Sequence, residues 1–259
     1  MKNIITGLLM SLTLVVQGQR NDFTYAVKGN AAESIVWINL LFADLEIEGT
    51  SGADIKIEVS DYEGLPEKAK GLKPLSGGGP ENTGIGLSVT QDGNTISISA
   101  AHREADDAKY RISLPKNVML KIDYNSWQAG DVEIRGMENE IEAKSQIGDL
   151  LFVNVTGPIV AHTLSSDLEI VFSSLKQSTP SSISSTSGDI DVTLPSEVKG
   201  TFKMSTVSGG VYTDMDFDLG EEGSTRRLIG DRAIGKLNGG GVEVSLKTVS
   251  GDIYVRKAN

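Results

Sequence analysis

The sequence lacks cysteine altogether and has few aromatic residues and histidines, and each shortage excludes something. With no Cys among 259 residues, neither a disulfide framework nor a lipid-modified cysteine can form, so stability must come from the core and from backbone hydrogen bonds. Aromatic residues make up only 5% of the chain, whereas a sugar-binding cleft usually exposes several aromatic rings. Only His102 and His162 could act as an imidazole base, and no Gly-x-Ser-x-Gly motif occurs. No catalytic residue is therefore predicted.

Residues 1–18 have the features of an export signal. Lys2 supplies a positive start, Ile4–Val16 is an apolar run too short to span a bilayer comfortably, and Gly18 precedes a suitable cleavage point before Gln19. The rest of the chain has no apolar run near the length of about 20 residues that a membrane-spanning helix needs. We therefore expect an exported, soluble protein of the periplasm or the medium that is not a lipoprotein and has no membrane span after signal removal.

The charge balance is acidic throughout. The formal net charge is −11 at pH 7, and no cluster of Lys or Arg interrupts it. Nucleic acids and anionic membrane surfaces are poor partners for such a chain, because both would repel it. Envelope proteins or glycans remain the partner classes that the composition allows.

The second half of the chain repeats a corner of the form Thr-x-Ser-Gly-Asp-Ile-x-Val. Its fullest copies are Thr186–Val192 and Thr248–Val255. The position of the Asp recurs at residues 131, 149, 167, 189, 210 and 252, in steps of 18, 18, 22, 21 and 42. A nearly fixed period of this length is typical of a solenoid, in which each repeat is one coil of a stack.

Between the corners, apolar and polar residues alternate with a period of two, which predicts half-buried strands. Aligned on the Asp, each repeat places apolar residues six positions upstream and one and three positions downstream, as in Ile183, Ile190 and Val192. The sequence therefore predicts an all-β protein whose residues 121–259 form a right-handed β-solenoid, similar to a single-stranded β-helix, with repeats of about 18–22 residues. Right-handedness rests on the usual preference of crossover connections.

Residues 19–120 follow the repeat less well and predict an irregular N-terminal β region that caps the stack. Thr50–Ile55 is similar to the corner with one residue inserted, Gly/Pro-rich residues 61–82 predict a long loop, and Gln91–Asn94 predicts a hairpin turn. The step of 42 predicts a hidden coil near Asp214–Gly230. The last coil, around Ile253–Val255, is expected to lie exposed and free to pair with another chain.

With these residues in view, the chain resembles the bacterial "putative adhesin" family of β-strand-repeat proteins, a domain of unknown function. The resemblance is carried by Ser187–Ile190, Ser250–Ile253, Leu237–Val242 and Tyr110–Pro115, and it covers about 120–259 well and 35–119 loosely. It implies an exported β-solenoid without a catalytic motif. The chain departs from the pattern at Ser166, where the corner Gly is lost, and at Gly210, where the Asp is lost.

The Asp column has two interpretations. Stacked carboxylates could hold Ca²⁺, which prefers several oxygen ligands, or each Asp could accept backbone N–H groups at its corner without any metal. We predict the second, so no metal or cofactor is expected. The candidate ligands, if calcium binds, are Asp131, Asp149, Asp167, Asp189 and Asp252.

Four other features have structural interpretations. The Ser and Thr residues four positions before the Asp are expected to hydrogen-bond between coils or to the backbone of the corner. His162 should face outward, and His102 should lie in a loop. Trp37 is expected in the core, and Trp127 is expected to cap the first regular coil.

The leading function is a non-enzymatic, adhesin-like scaffold or recognition surface of the cell envelope. Two alternatives stay open. A carbohydrate-active enzyme on a β-solenoid would need two carboxylates about 5–9.5 Å apart in a groove lined with aromatic residues. A calcium-stabilised structural protein would melt at a temperature that depends on the metal.

Overall fold

In a computed structural model, residues 21–258 are described, apart from 70, 73, 76, 221–223 and 227–230, and their regular secondary structure is almost entirely β-strand. The prediction of an all-β fold is confirmed, whereas the export signal predicted at 1–18 lies outside the described residues. Helical structure in the described part amounts to three 3₁₀ turns at Ala31–Glu33, Glu67–Ala69 and Arg103–Ala105. Within those same residues, no helix is long and apolar enough to cross a membrane.

The strands are short, as expected for segments bounded by turn residues. In the first half of the chain they are β1 (Asp22–Ala26), β2 (Ile35–Asn39), β3 (Asp44–Thr50), β4 (Asp54–Ser60), β5 (Leu87–Asp92), β6 (Thr95–Ala100), β7 (Lys109–Pro115) and β8 (Met119–Tyr124). The next are β9 (Val132–Arg135), β10 (Ile141–Ser145), β11 (Leu150–Val155), β12 (Ile159–Thr163), β13 (Leu168–Phe172), β14 (Ser181–Ser185) and β15 (Ile190–Leu194). The last are β16 (Gly200–Ser205), β17 (Val211–Thr213), β18 (Ser224–Arg226), β19 (Asp231–Leu237), β20 (Glu243–Lys247) and β21 (Ile253–Lys257).

These strands form two large mixed sheets that share one core. The first sheet has ten strands in the order β1-β4-β7-β3-β9-β11-β13-β15-β21-β17. The second has eleven, in the order β18-β19-β16-β20-β14-β12-β10-β8-β2-β6-β5. Strands next to each other in the middle of both sheets run parallel, so each coil of the stack contributes one strand to each sheet, joined by a corner.

The strand register agrees with the alignment of the repeats on the Asp. In the second sheet Ala143, Ala161, Ile183, Leu246 and Met204 are cross-strand neighbours in that order. In the first sheet the row of inward residues is Val132, Leu150, Leu168, Ile190, Ile253 and Val211. All of these except Val211 are fully or almost fully buried, and burying such side chains stabilises the fold by about 1.5–3 kcal/mol each for the larger ones.

The coils are not stacked in chain order, and this corrects two predictions. The last strands of the chain, β20 and β21, lie between the coil of β14 and β15 and the coil of β16 and β17. The prediction that Ile253–Val255 is an exposed last coil is therefore wrong, because β21 pairs on both sides. The hidden coil predicted near Asp214–Gly230 is wrong as well, because the described part of this segment leads into the antiparallel β18–β19 pair instead.

The N-terminal region contributes two regular coils as well as the expected cap. Strands β2 and β3 form one coil and β6 and β7 another, each parallel to its neighbour in the stack. Antiparallel β4, β1 and β5 then close this end, and β19 closes the second sheet at the other. The interpretation of Thr50–Ile55 as a corner is wrong, because a corner joins a strand of one sheet to a strand of the other. This segment joins β3 and β4, which both lie in the first sheet.

The turn predictions hold elsewhere. Strands β5 and β6 form the predicted hairpin, with Asp92 opposite Thr95 and Gly93 at a φ of 55°, a left-handed conformation that glycine adopts at little cost. No strand occurs among the described residues between Ser60 and Leu87, which contain the predicted loop at 61–82.

Candidate functional site

One corner of the stack carries a continuous ladder of aspartates. In each coil the Asp lies where the corner meets the strand of the first sheet, so equivalent carboxylates lie one strand spacing apart, about 4.8 Å. Each Oδ1 accepts the backbone N–H of the next residue in the ladder. The bonds run from Asp131 N–H to Asp44 (3.3 Å), Asp149 to Asp131 (3.0 Å), Asp167 to Asp149 (3.2 Å), Asp189 to Asp167 (2.8 Å), Asp252 to Asp189 (2.7 Å) and Gly210 to Asp252 (2.8 Å).

The ladder joins all five sequence-predicted candidates and adds Asp44, which sequence reasoning missed. The sequence signal for Asp44 was the similarity of Asp44-Leu45-Glu46-Ile47 to Asp149-Leu150-Leu151-Phe152. The similarity was hard to see because no Gly precedes Asp44. The ladder ends at Gly210, whose N–H donates to Asp252 but which has no carboxylate to accept an N–H group from a further coil. Loss of the Asp at this position therefore coincides with the end of the stack in the first sheet.

The corner glycines are required by close packing between coils. A Cβ on Gly148, Gly188, Gly209 or Gly251 would overlap the backbone carbonyl of the equivalent residue in the adjacent coil. The buried hydroxyls beside them bond to those same carbonyls, as predicted for the Ser/Thr column. Ser185 donates to Ser166 O (3.2 Å), Thr248 to Gly188 O (3.0 Å) and Thr206 to Gly251 O (2.8 Å).

The middle of the ladder is electrostatically strained. The pKa of Asp149 is raised, first because partial burial disfavours its charged form and also because Asp131 and Asp167 repel it, while the hydrogen bond from the Asp167 N–H opposes the shift. Each carboxylate therefore stabilises its neighbour's backbone at the cost of repulsion between charges.

Replacing Asp149 with Asn tests this balance. A folded-state pKa above the unfolded value, which is about 3.9, means that stability falls as pH rises through the interval between the two. Asn keeps an acceptor oxygen and removes the charge, so we expect Asp149→Asn to raise the melting midpoint by about 1 °C at pH 7 and by nothing at pH 2.5. Asp92→Asn, on the edge strand β5, is the control. A lower midpoint for Asp149→Asn at pH 7 would contradict the assignment.

Calcium provides a second test of the ladder. Within the described residues, no group of three or more His, Cys, Asp or Glu side chains is arranged to hold a metal ion. Because Oδ1 of every ladder carboxylate already accepts an N–H group, we expect the melting midpoint to be the same, within about 1 °C, in millimolar calcium and in excess chelator. A rise of several degrees with calcium would reassign the column as a metal site.

A second row of acidic residues runs beside the ladder on the outer face of the first sheet. Cross-strand neighbours in this row are Glu46, Glu133, Leu151, Glu169, Asp191, Tyr254 and Tyr212. Together with the ladder, its first members line a shallow groove of about 760 Å³ that also contains Glu58, Lys109 and Arg111. The groove is therefore strongly acidic and runs across several coils.

Cations offset only part of this charge. Arg111 binds Glu46 (2.6 Å), Lys109 lies 3.6 Å from Asp44, and Arg135 pairs with Glu133. These pairs are exposed, and each contributes little to stability. Among the described residues, Glu58 and Glu169 have no ion-pair partner, so they remain available to a ligand.

The acidic row ends in an aromatic stack. Tyr212 and Tyr254 lie with ring centroids 5.5 Å apart and planes 19° apart, although 42 residues separate them in the chain. The Arg256 guanidinium lies 4.9 Å from the Tyr254 ring and binds Asp191 at 2.8 Å. The two tyrosines meet only because β21 is inserted beside β17, so no local sequence pattern could predict their contact.

The structure confirms two predictions about histidine and overturns two about tryptophan. His162 faces outward, and His102 lies at a 3₁₀ turn, where it is buried with Nε2 2.9 Å from Tyr62 Oη. Trp37 lies on the outer face of the second sheet rather than in the core, with the Lys121 ammonium 5.9 Å from its ring. Trp127 is 72% exposed and so caps nothing. It does not share the position of the Ser/Thr column, because Tyr124 is the neighbour of Ser145.

The repeating part of the chain matches a known family. Residues 128–256 match the family described as Toastrack DUF4097. This region belongs to the Toastrack family. The Toastrack region begins within the corner between β8 and β9 and contains strands β9 to β20 and most of β21, with every ladder residue from Asp131 onward. Asp44 and the coils of β2, β3, β6 and β7 lie outside it.

Two solved structures that are similar to this chain are named as adhesion proteins. One is a "putative cell adhesion protein" from Clostridium sporogenes, at 16% identity and a TM-score of 0.46, with 92% of this chain and 99% of that chain covered. Another is a "putative adhesin" from Bacteroides fragilis, at 14% identity and a TM-score of 0.37, with 92% and 96% covered. No curated protein matches the chain.

Proposed function

We propose that the protein is an exported, non-enzymatic, adhesin-like recognition scaffold of the cell envelope that contacts its partner through the outer face of the first sheet. In this proposal, residues 1–18 are removed on export, and the coils form a right-handed solenoid that holds the face rigid. The observation that carries it is the acidic groove of about 760 Å³, which runs along adjacent coils of that face.

Two features support this role. The ladder carboxylates serve as acceptors for backbone N–H groups, a structural use that favours a scaffold over catalysis. The groove presents Glu58 and Glu169 free of ion-pair partners in the described structure, which suits a partner with a positively charged surface.

A matched pair of variants tests the proposal. The processed full chain is labelled and its binding to bacterial and epithelial cells is measured by flow cytometry. We expect Glu58→Lys combined with Glu169→Lys to lower the bound signal by about fivefold or more, and increasing salt to weaken binding of the unaltered protein. Asp92→Lys combined with Glu197→Lys changes the total charge equally away from the groove and should bind normally.

Equal binding by the two double variants would show that the groove is not the contact face. No binding to any cell or envelope fraction would overturn the adhesin-like role itself. N-terminal sequencing of the exported product tests the export signal separately, with Gln19 expected as the first residue.

A further inference from the structure

The first regular corner of the stack is longer than those that follow. It has seven residues, 125–131, between β8 and β9, whereas the next has four, 146–149, between β10 and β11. Ser126 is buried in this longer corner and accepts the N–H of Gln128 at 3.1 Å, while Asn125 and Trp127 on either side of it are exposed. The extra residues therefore place an indole that is 72% exposed two positions along the chain from the Asn125 amide.

A Trp side chain as exposed as Trp127 does not contribute to the core. Large apolar side chains are normally scattered singly on a surface, whereas the next corner exposes another one, Ile147, at 44%. The negative face of an aromatic ring attracts the weakly positive C–H groups of a sugar ring, and its apolar area suits the sugar's apolar side.

A polar depression lies next to this corner on the second sheet, which does not form the acidic groove. Its volume is about 340 Å³, at the lower end of the range of about 300–1,000 Å³ for small-molecule sites. Tyr124 and Ser145 lie buried in it, and the side chains around them come from three adjacent coils. These are Asp123, Asn125, Lys144, Gln146, His162 and Leu164.

Hydrogen bonds fix the polar side chains of the depression in place but leave some of their donors and acceptors free. Gln146 Nε2 donates to Asn125 Oδ1 at 2.6 Å, and His162 Nδ1 lies 3.0 Å from Ser184 Oγ. In the described structure, the Asn125 amide N–H groups, Gln146 Oε1 and His162 Nε2 have no hydrogen-bond partner. The depression thus offers both donors and acceptors to a ligand rich in hydroxyl groups.

The charges in the depression are balanced. Lys144 binds Glu142 at 2.7 Å, Lys121 lies 3.4 Å from the same carboxylate, and Asp123 is the cross-strand neighbour of Lys144, so two carboxylates face two ammonium groups. This separates the depression from the groove on the first sheet, where carboxylates dominate. A neutral ligand is favoured here, whereas a cationic partner is favoured there.

We propose that Trp127 and this depression form a binding site for a neutral oligosaccharide. One sugar ring lies on the indole, and the next places its hydroxyl groups against Asn125, Gln146 and His162. The inference goes beyond the proposed function, because it assigns a second ligand class to a different face of the molecule.

The two tryptophans of the chain make the test direct, because Trp37→Phe leaves Trp127 as the single indole. The full-length processed Trp37→Phe protein is titrated with cellotetraose, N-acetylchitotetraose and mannotetraose. We expect at least one of them to shift the Trp127 emission to shorter wavelength in a saturable manner and to protect it from acrylamide quenching. No saturable change with any of the three would overturn the proposal.

Variants of the native chain then show where the sugar binds, measured by calorimetry with the same oligosaccharide. Trp127→Ala and Gln146→Ala should each weaken binding, the former by about tenfold or more. Tyr212→Ala, which removes an exposed aromatic residue from the other sheet, and Glu58→Lys combined with Glu169→Lys should leave the affinity unchanged. A thermal melt confirms that each variant folds.

The outcomes separate this site from the proposed function. Unchanged affinity in Trp127→Ala would overturn the oligosaccharide site, even if cell binding through the acidic groove persists. Binding of only a charged oligosaccharide, such as a hexauronate, would overturn the neutral ligand class. Saturable binding lost in Trp127→Ala supports the site, whatever happens to the acidic-groove variants on cells.

Discussion

Ile190→Asp is expected to prevent the stack from folding. Ile190 is completely buried in β15, between Leu168 of one coil and Ile253 of another, so an aspartate here would place an unpaired charge inside the core of both sheets. An unpaired buried charge costs several kcal/mol, and a loss of about 4 kcal/mol or more is a large part of a typical stability of about 5–15 kcal/mol. Val192→Asp is expected to behave in the same way.

The measurement is the yield of soluble protein followed by a circular-dichroism melt. Thr193→Asp is the matched control, because Thr193 points outward from the same strand and its cross-strand neighbour is Arg256. It should fold with a midpoint near that of the unaltered protein. A soluble Ile190→Asp protein with an unchanged midpoint would mean that the inward face of β15 is wrongly assigned.

Gly188→Ala is expected to lower the free energy of unfolding through a clash between adjacent coils. The new Cβ would overlap the carbonyl oxygen of Ser166 in the adjacent coil, which the Ser185 hydroxyl already binds, so the two coils would have to move apart. Overpacking of this kind costs about 1–3 kcal/mol, or roughly 3–10 °C of midpoint for a chain of this size.

Gly52→Ala is the control for this prediction. A Cβ at Gly52 would approach no atom closer than Thr50 Oγ1 at 3.3 Å, which lies at the end of a short side chain. We expect a change of less than about 1 °C. If Gly188→Ala melts like Gly52→Ala, the coils are less closely packed at their corners than the structure indicates.

The sequence came closest where information is local. Alternation with a period of two follows from strand geometry, so the inward and outward residues of β10 to β15 could be assigned without any tertiary information. The recurring Ser-Gly-Asp corner was sufficient to align Asp131, Asp149, Asp167 and Asp189 as neighbours, and their mutual backbone bonds follow from that alignment.

The sequence was misleading where chain order was taken for spatial order. The coil of β20 and β21 lies inside the stack, which brings Tyr254 against Tyr212 and places Asp252 between Asp189 and Gly210. Parallel strands of similar pattern offer equivalent ladders of hydrogen bonds, so the local pattern alone could not choose among them. The prediction that Trp127 caps the first regular coil was wrong for a related reason, because only the register shows that its corner has three extra residues.

By itself, the sequence therefore determined the all-β class, the two faces of each repeat strand and the chemistry of the corner, because all three depend on residues a few positions apart. Only the tertiary structure decided which coils are neighbours, where the ladder ends, and which outer residues collect into the acidic groove and the depression beside Trp127. Those features depend on pairing between residues 18 to 87 positions apart, which the whole stack settles by burying its apolar faces and pairing its strands together.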